Sequence, residues 1–284
     1  MKQRDPQAAA NAADVSGQVV RTGLVRTLGQ LGLPFLQPVL AFLLLLALWQ
    51  LIVTIFGVPQ YLFPGPIEVI ERGIRAAPKI WANYSTTLRS AVLGYLLAVV
   101  VAVPGSLIIA YSAFAEKSLF PGLVLLHITP KVTLAPIIIA WLGFGVLPKV
   151  VVTALLCFMP IMLNGILGFR SIDPEIVYLS QSCGARPWEM FWKVRLPNAL
   201  PTLFTGLKHA ASLALVGAVI AEFIGGNHGL GYYLVTVMDN MQTDLGLAIM
   251  AAMTTIGLAF FFGIQIIEGL AIPWHVSKRR REGR

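Results

Sequence analysis

The segment IDPEIVYLSQSCGARPWEMFWKVRLPNALP, residues 172 to 201, separates two long apolar stretches with a run of polar and charged side chains. Charged residues are scarce in this chain, at 12% of the total, whereas a typical soluble domain carries about 25%. The segment alone holds Asp173, Glu175, Arg186, Glu189, Lys193 and Arg195. We expect it to lie in water beside a membrane and to present a surface to another molecule.

The same segment is predicted to form two short helices around a glycine corner. Asp173 is a favourable N-cap for the first helix, because its carboxylate accepts hydrogen bonds from free N–H groups. Gly184 is suited to end that helix, since glycine adopts the left-handed backbone conformation without strain. A second helix is predicted from about Pro187 to the pair Pro197 and Pro201, because proline interrupts helical hydrogen bonding.

The rest of the chain consists of long apolar runs, which predict an all-α membrane protein with six transmembrane helices. Of the 284 residues, 57% are hydrophobic, and the mean hydropathy is +0.77. A run of about 20 apolar residues is long enough to cross the hydrocarbon core as a helix. The runs lie at about 35–57, 88–112, 119–142, 147–169, 201–224 and 246–273. The first run begins too late and is too long for a signal peptide, so we expect it to be a retained span.

The distribution of basic residues predicts that both ends of the chain face the cytoplasm. Basic residues accumulate on the cytoplasmic side of membrane proteins. Here they concentrate in residues 1–33, 170–200 and 277–284, which six spans place on one side. The loop between the fifth and sixth runs contains Asp239 and Asp244 but no Lys or Arg, so we expect it outside. The exceptions to the rule follow the first run and are Arg72, Arg75 and Lys79.

The net charge of +8 is interpreted as a topology signal and not as a nucleic-acid-binding signature. Most of the positive residues lie near the ends of the apolar runs, and a basic tail next to a membrane contacts anionic lipid. We therefore expect membrane lipid, and no nucleic acid, among the partners of this chain.

Few side chains are arranged for catalysis or metal binding. The chain contains no G-x-x-x-x-G-K-[ST] motif, so we expect no ATP hydrolysis on it by the P-loop route. The histidines have no metal-ligand spacing, and they are His127, His209, His228 and His275. The two cysteines, Cys157 and Cys183, form no ligand pattern either. These observations disfavour a membrane-embedded enzyme and leave an ATP-independent channel or secondary transporter as the alternative to a pump driven by another subunit.

Several stretches together resemble one family. Gly184-Ala185, then Val194-x-Leu196-Pro197 and Pro201, are similar to the cytoplasmic EAA loop of ABC importer permeases. The wider chain resembles the nitrate, sulfonate and taurine branch of these permeases, which includes importers of pyrimidine precursors. The supporting stretches are YLFPGP at 61–66, TPKVTLAP at 129–136, WLGFG at 141–145 and GLGY at 229–232.

The resemblance implies a type I ABC importer permease fold with a cytoplasmic coupling helix in the loop 170–200, here called the coupling loop. It divides the chain into a cytoplasmic segment 1–33, a permease domain 34–276 and a basic tail 277–284. It also implies a second, identical permease subunit, two copies of an ATP-binding subunit that carries the ATP and Mg²⁺, and an extracytoplasmic substrate-binding protein. The chain itself would hold no cofactor and no catalytic residue. It would lie in the bacterial inner membrane and import a small polar or anionic organic solute by alternating access.

The residues expected to couple the permease to the ATPase follow from matching the loop to the family pattern. This sequence departs from that pattern, because Tyr178, Leu179 and Ser180 occupy the positions of the Glu-Ala-Ala itself. Glu175, about one turn earlier, is the candidate to replace the missing acid. The full set of candidates is Glu175, Tyr178, Leu179, Ser180, Gly184, Ala185, Arg186, Leu196 and Pro197. Trp188 and Trp192 share one face of the second helix, either buried against the spans or open to a partner.

Three charged residues within the apolar runs are candidates for the transport pathway. They are Lys131, Lys208 and Glu222. Charges inside a membrane are costly and often functional. Lys131 or Lys208 would attract an anionic solute, or would extend to the membrane surface or form an internal ion pair. Glu222 is expected to cap a helix or to pair locally.

Overall fold

The structure, a computed structural model, describes residues 37–274. The chain forms two compact units, Met1–Glu68 and Val69–Arg284. The predicted segment 1–33, the predicted tail 277–284 and His275 lie outside the described residues.

The described part of the first unit is one apolar helix followed by a turn. Helix α1 covers Gln37–Phe56, and most of its large apolar side chains are exposed, as expected for a surface that faces lipid. Helix α2, Pro66–Arg75, begins at the end of this unit. Its start is fixed by the Gly65 N–H, which donates to Glu68 Oε2 at 2.6 Å.

The second unit is helical in all the elements assigned to its described residues. The long helices are α3 Ala77–Tyr111, α4 Ala113–Ile128, α6 Val146–Arg170, α9 Leu196–Gly225 and α11 Thr243–Ala271. The short helices are α5 Ala135–Leu142, α7 Pro174–Ser182, α8 Pro187–Met190 and α10 Leu230–Asp239. A 3₁₀ turn, Lys131–Leu134, precedes α5, and a π-helical turn, Phe191–Arg195, joins α8 to α9.

The core of the second unit is formed by α3, α6 and α9, which pack through small side chains. Buried alanines that contribute to this core are Ala91, Ala98, Ala102, Ala210, Ala211, Ala214 and Ala218. Small residues let helix backbones approach closely, which is how helices associate where lipid removes the hydrophobic driving force. The sequence therefore builds a tight helical core inside the membrane.

Five of the six predicted spans are single helices that are long and apolar enough to cross a membrane. The third predicted span, 119–142, is not continuous, because α4 and the segment Lys131–Leu142 meet at a bend of 89°. The break has a local cause. Thr129 precedes Pro130 and adopts an extended ψ of 127°, since a residue before proline is disfavoured in the α conformation.

The prediction that the second loop helix stops at Pro197 and Pro201 is wrong. The helix begins at Pro187 as expected, but it continues through the π-helical turn into α9, so that residues 187–225 form one helical stretch. Pro197 falls in the first turn of α9, where its missing N–H costs little after the wider π turn. Pro201 lies inside α9 without ending it.

Candidate functional site

The coupling loop has the helix–glycine–helix shape that the sequence predicts. Asp173 Oδ1 accepts a hydrogen bond from the Glu175 N–H at 2.9 Å and caps α7. At the other end, Gly184 has a φ of +75°, a left-handed conformation that strains any residue with a side chain. The Ala185 N–H donates to the Ser180 carbonyl at 3.1 Å and closes the corner.

The outer face of α7 is apolar and open. Tyr178 and Leu179 leave 68% and 66% of their surface exposed. Ile176 and Glu175 are exposed as well, whereas Ser180 is half-buried and its hydroxyl donates to the Ile176 carbonyl at 2.7 Å. Exposed apolar side chains grouped on one helix face are typical of a protein–protein interface.

The start of the second helix exposes two tryptophans. Trp188 and Trp192 leave 70% and 49% of their surface exposed, and their rings meet edge to face at 5.3 Å. Of the two interpretations, this exposure favours contact with a partner over burial against the spans. The exposed Arg186 N–H donates to Glu189 Oε2 at 3.1 Å, which fixes the start of the helix beside the tryptophans.

The last two coupling candidates lie at the base of the loop. Leu196 and Pro197 are half-buried at the start of α9. Nearby, Asn198 Nδ2 donates to Ser171 Oγ at 3.0 Å and connects the arm that leaves the loop to the arm that enters it. Leu196 and Pro197 are therefore less exposed than Tyr178 and Leu179 on α7.

The three pathway candidates have separate partners and do not form one site. Lys131 is half-buried, and its Nζ donates to the His127 carbonyl at 3.1 Å. Lys208 Nζ lies 2.7 Å from Glu268 Oε2, with both side chains largely buried, so the internal ion pair is the alternative found here. Glu222 has an exposed side-chain fraction of 0%.

The partner of Glu222 is Lys149, which the sequence analysis did not identify. Lys149 Nζ lies 3.7 Å from Glu222 Oε1, and 6% of the Lys149 side chain is exposed. The same ammonium group donates to the His228 carbonyl at 2.7 Å. No local signal in the sequence reveals this partner, because a lysine in the first turn of an apolar helix usually extends to the membrane surface.

A glycine-rich loop between α9 and α10 completes the surroundings of the Glu222 carboxylate. The Gly231 N–H donates to Glu222 Oε2 at 2.9 Å, and the Thr87 hydroxyl donates to the same oxygen at 2.9 Å. Thr87 in turn accepts a hydrogen bond from the Leu230 N–H at 2.8 Å. Gly229 has a φ of +118°, and a Cβ there would overlap the carboxylate. These contacts join Glu222 on α9 to α3, α6 and the glycine-rich loop.

A cavity of about 540 Å³ lies between the region around the α2–α3 junction and the region around the α10–α11 junction. The charged side chains that line it are all cationic and are Arg72, Arg75 and Lys79. Asp244 lies 3.4 Å from the Arg72 guanidinium, and Glu71 lies 3.0 Å from that of Arg75. For the Lys79 ammonium the described residues supply no such acid. The sequence named these three residues only as exceptions to the charge rule, and did not predict that they share a cavity.

The chain is similar to a known protein family over more than half of its length. The family described as "Binding-protein-dependent transport system inner membrane component" matches residues 92–274. That range contains the coupling loop, the Lys149–Glu222 pair and the glycine-rich loop.

Three relatives match over most of their length. The chain is 32% identical over 240 residues to the formylaminopyrimidine transport permease protein of Halalkalibacterium halodurans, covering 84% of this chain and 96% of that one. It is 33% identical over 255 residues to the riboflavin transport system permease protein of Chloroflexus aurantiacus, covering 89% and 95%. It is 26% identical over 238 residues to the taurine transport system permease protein of Escherichia coli, covering 81% and 86%.

Proposed function

The chain belongs to the family of binding-protein-dependent transport system inner membrane components, and we propose that two copies of it form the pathway for a small polar or anionic organic solute. As a member of this family it is a membrane-spanning permease subunit of an ATP-driven importer. It is therefore a multi-pass protein of the inner membrane. The observation that carries the proposal is the open helix–glycine–helix coupling loop between α6 and α9.

The proposed assembly is a homodimer with one ATP-binding subunit under each coupling loop. ATP and Mg²⁺ would be held by those two subunits, and this chain would contribute no catalytic residue. The substrate-binding protein would dock on the opposite side of the membrane, which requires the coupling loop and both chain ends to be cytoplasmic.

The contact with the ATP-binding subunit is proposed to run through α7. Tyr178 and Leu179 would enter a groove of that subunit, because burying their exposed apolar surface against a partner is favourable. Glu175 and Arg186, both exposed, would supply charged contacts at the rim. Trp188 would extend the interface on the second helix.

Force from ATP binding is proposed to reach the spans through the second loop helix. Because residues 187–225 are one helical stretch, a displacement of the loop moves α9 directly, with no flexible linker between them. Rigid-body movement of this kind is a common basis of switching between two conformations. The pathway would then open alternately to the two sides of the membrane.

The proposed solute class rests on the relatives and on the charge of the cavity. The relatives are transport permease proteins for a formylaminopyrimidine, riboflavin and taurine, and the first two of these solutes are aromatic heterocycles. The cationic lining of the cavity between the α2–α3 and α10–α11 regions would favour an anionic group. Uptake of radiolabelled taurine, riboflavin and a formylaminopyrimidine by vesicles that contain the intact importer would separate these classes.

The test of the coupling loop is a pair of substitutions at its corner. Gly184→Val places a β-branched side chain in the left-handed conformation, where it is strained, so we expect uptake to fall by about tenfold or more while the subunit remains in the membrane. Gly184→Asn is the matched control, because asparagine tolerates this conformation. No Cβ contact is present at this position, so size alone does not separate the two variants. Normal uptake and normal stimulation of ATP hydrolysis in Gly184→Val would contradict the proposed role.

A further inference from the structure

Both arms of the coupling loop contact the same point of the permease, the end of α3. The arm that enters the loop is the end of α6, at Phe169 and Arg170. The arm that leaves it is the π-helical turn, which ends at Arg195. Tyr111 is the last residue of α3 and lies where the two arms meet it.

The leaving arm contacts the ring of Tyr111. The guanidinium carbon of Arg195 lies 4.5 Å from the ring centroid, which is within the range of a cation–π interaction. Arg195 Nε is buried and has no hydrogen-bond partner among residues 37–274. The ring face is therefore the principal described partner of this cation.

The entering arm contacts the same helix end. The Tyr111 hydroxyl donates to the Phe169 carbonyl at 3.4 Å, a long hydrogen bond. Arg170 donates to the Ile109 carbonyl at 3.1 Å and pairs with Glu116 at 2.8 Å. The ring contact and the Arg170–Ile109 contact thus join both arms to the end of α3, and the Arg170–Glu116 pair joins the entering arm to the start of α4.

We infer that Tyr111 is a positioning residue that makes α3 follow the coupling loop, an inference that rests on the proposed function. A loop joined to α9 alone would move one helix of the core. A loop that also contacts the end of α3 moves α3 and α9 together. A movement of the ATP-binding subunit would then displace both of these helices of the pathway.

The test compares the movement of the loop with the movement of α3 in the intact importer. Spin labels are placed on the exposed native Cys183 and on an introduced cysteine at the exposed Ala113, with the buried Cys157 replaced by serine. In the wild-type background, we expect the distance between the labels to stay the same when ATP and vanadate are added. In Tyr111→Leu, which removes the ring, we expect that distance to change and to broaden on the same addition.

Tyr111→Phe is the matched control, because it keeps the ring and loses only the long hydroxyl bond. It should behave as wild type, and Arg195→Gln should reproduce Tyr111→Leu without adding to it in the double variant. Tyr111 is 43% exposed, so its loss leaves no core cavity. An unchanged label distance in Tyr111→Leu would overturn the inference. Failure of wild-type Cys183 to cross-link to the ATP-binding subunit would instead contradict the proposed function itself.

Discussion

Lys149 and Glu222 hold three helices and a loop together near one end of α9. Each charge is desolvated, and a buried charge is tolerated only when it is paired and hydrogen-bonded. The Lys149 ammonium on α6 reaches the carboxylate on α9 and the His228 carbonyl on the loop. Thr87 on α3 donates to the same carboxylate. The pair therefore fixes the relative positions of the elements that would form the pathway.

Removing one member of this pair is expected to destabilise the protein more than removing both. Glu222→Gln leaves the Lys149 ammonium buried without its counter-charge, a loss of about 3 kcal/mol or more. Lys149→Met leaves the Glu222 carboxylate buried without its counter-charge. We expect each single variant to lower the temperature at which the detergent-solubilised protein loses its size-exclusion peak. The double variant should lose that peak at a higher temperature than either single variant.

The control for this prediction is an exposed ion pair in the coupling loop. Lys193 and Glu189 are 3.4 Å apart, with 75% and 43% of their side chains exposed, and such pairs contribute about 1 kcal/mol or less. Lys193→Met and Glu189→Gln should leave the unfolding temperature almost unchanged. Additive losses in the Lys149 and Glu222 double variant would show that the buried contact is not a coupled pair.

The sequence identified one of these two residues and not the other, for a physical reason. Glu222 lies near the end of an apolar run, and it stands out as a costly charge because its side chain is too short to extend to the membrane surface as lysine does. Lys149 lies close to the start of a run, where a lysine usually extends to the membrane surface and needs no partner. The two residues are far apart along the chain, so their contact depends on how α6 packs against α9. Propensity and hydropathy do not report that packing.

The glycine-rich loop between α9 and α10 is shaped around the Glu222 carboxylate. Gly229→Ala would introduce a Cβ at a φ of +118° and into the carboxylate itself. We expect a loss of at least about 2 kcal/mol and a reduced yield of folded protein in detergent. Gly263→Ala on α11 is the matched control, because nothing lies within 4 Å of its Cβ, and it should be neutral or slightly stabilising. Equal yields from the two variants would contradict the requirement for glycine at position 229 beside the Glu222 carboxylate.

The coupling loop shows which elements local sequence signals can predict. The N-cap at Asp173 and the left-handed Gly184 depend on residues within one turn, and the structure contains both. The end of the second helix was predicted from Pro197 and Pro201, and that prediction failed. Proline stops a helix only when no neighbouring turn adapts to it, and here the π-helical turn before Pro197 does so. The continuous lever from the loop into α9 is a consequence of that adaptation.

The six apolar runs predicted where the long apolar helices lie, but they did not predict the bend in the third. Runs one, two, four, five and six are single helices, whereas the third is divided by a bend of 89° at Thr129 and Pro130. Hydropathy does not predict such a bend, because the segments on both sides of it are apolar. Orientation depends on the number of crossings, so the N-in, C-in arrangement holds only if the bent pair counts as one crossing.

The two native cysteines test that arrangement without any change to the rest of the chain. Cys183 is exposed on the coupling loop and Cys157 is buried in α6, so a membrane-impermeant maleimide should react with Cys183 alone. If the loop is cytoplasmic, labelling will occur in inside-out vesicles and be absent from sealed right-side-out vesicles. Cys183→Ser should abolish this labelling.

A cysteine introduced at the exposed Asn240 in the Cys183→Ser background should show the opposite labelling pattern, because one membrane crossing, α9, separates α10 from the coupling loop. Labelling of Cys183 from outside would contradict a cytoplasmic coupling loop, and labelling of both positions from one side would mean that α9 does not separate them across the membrane.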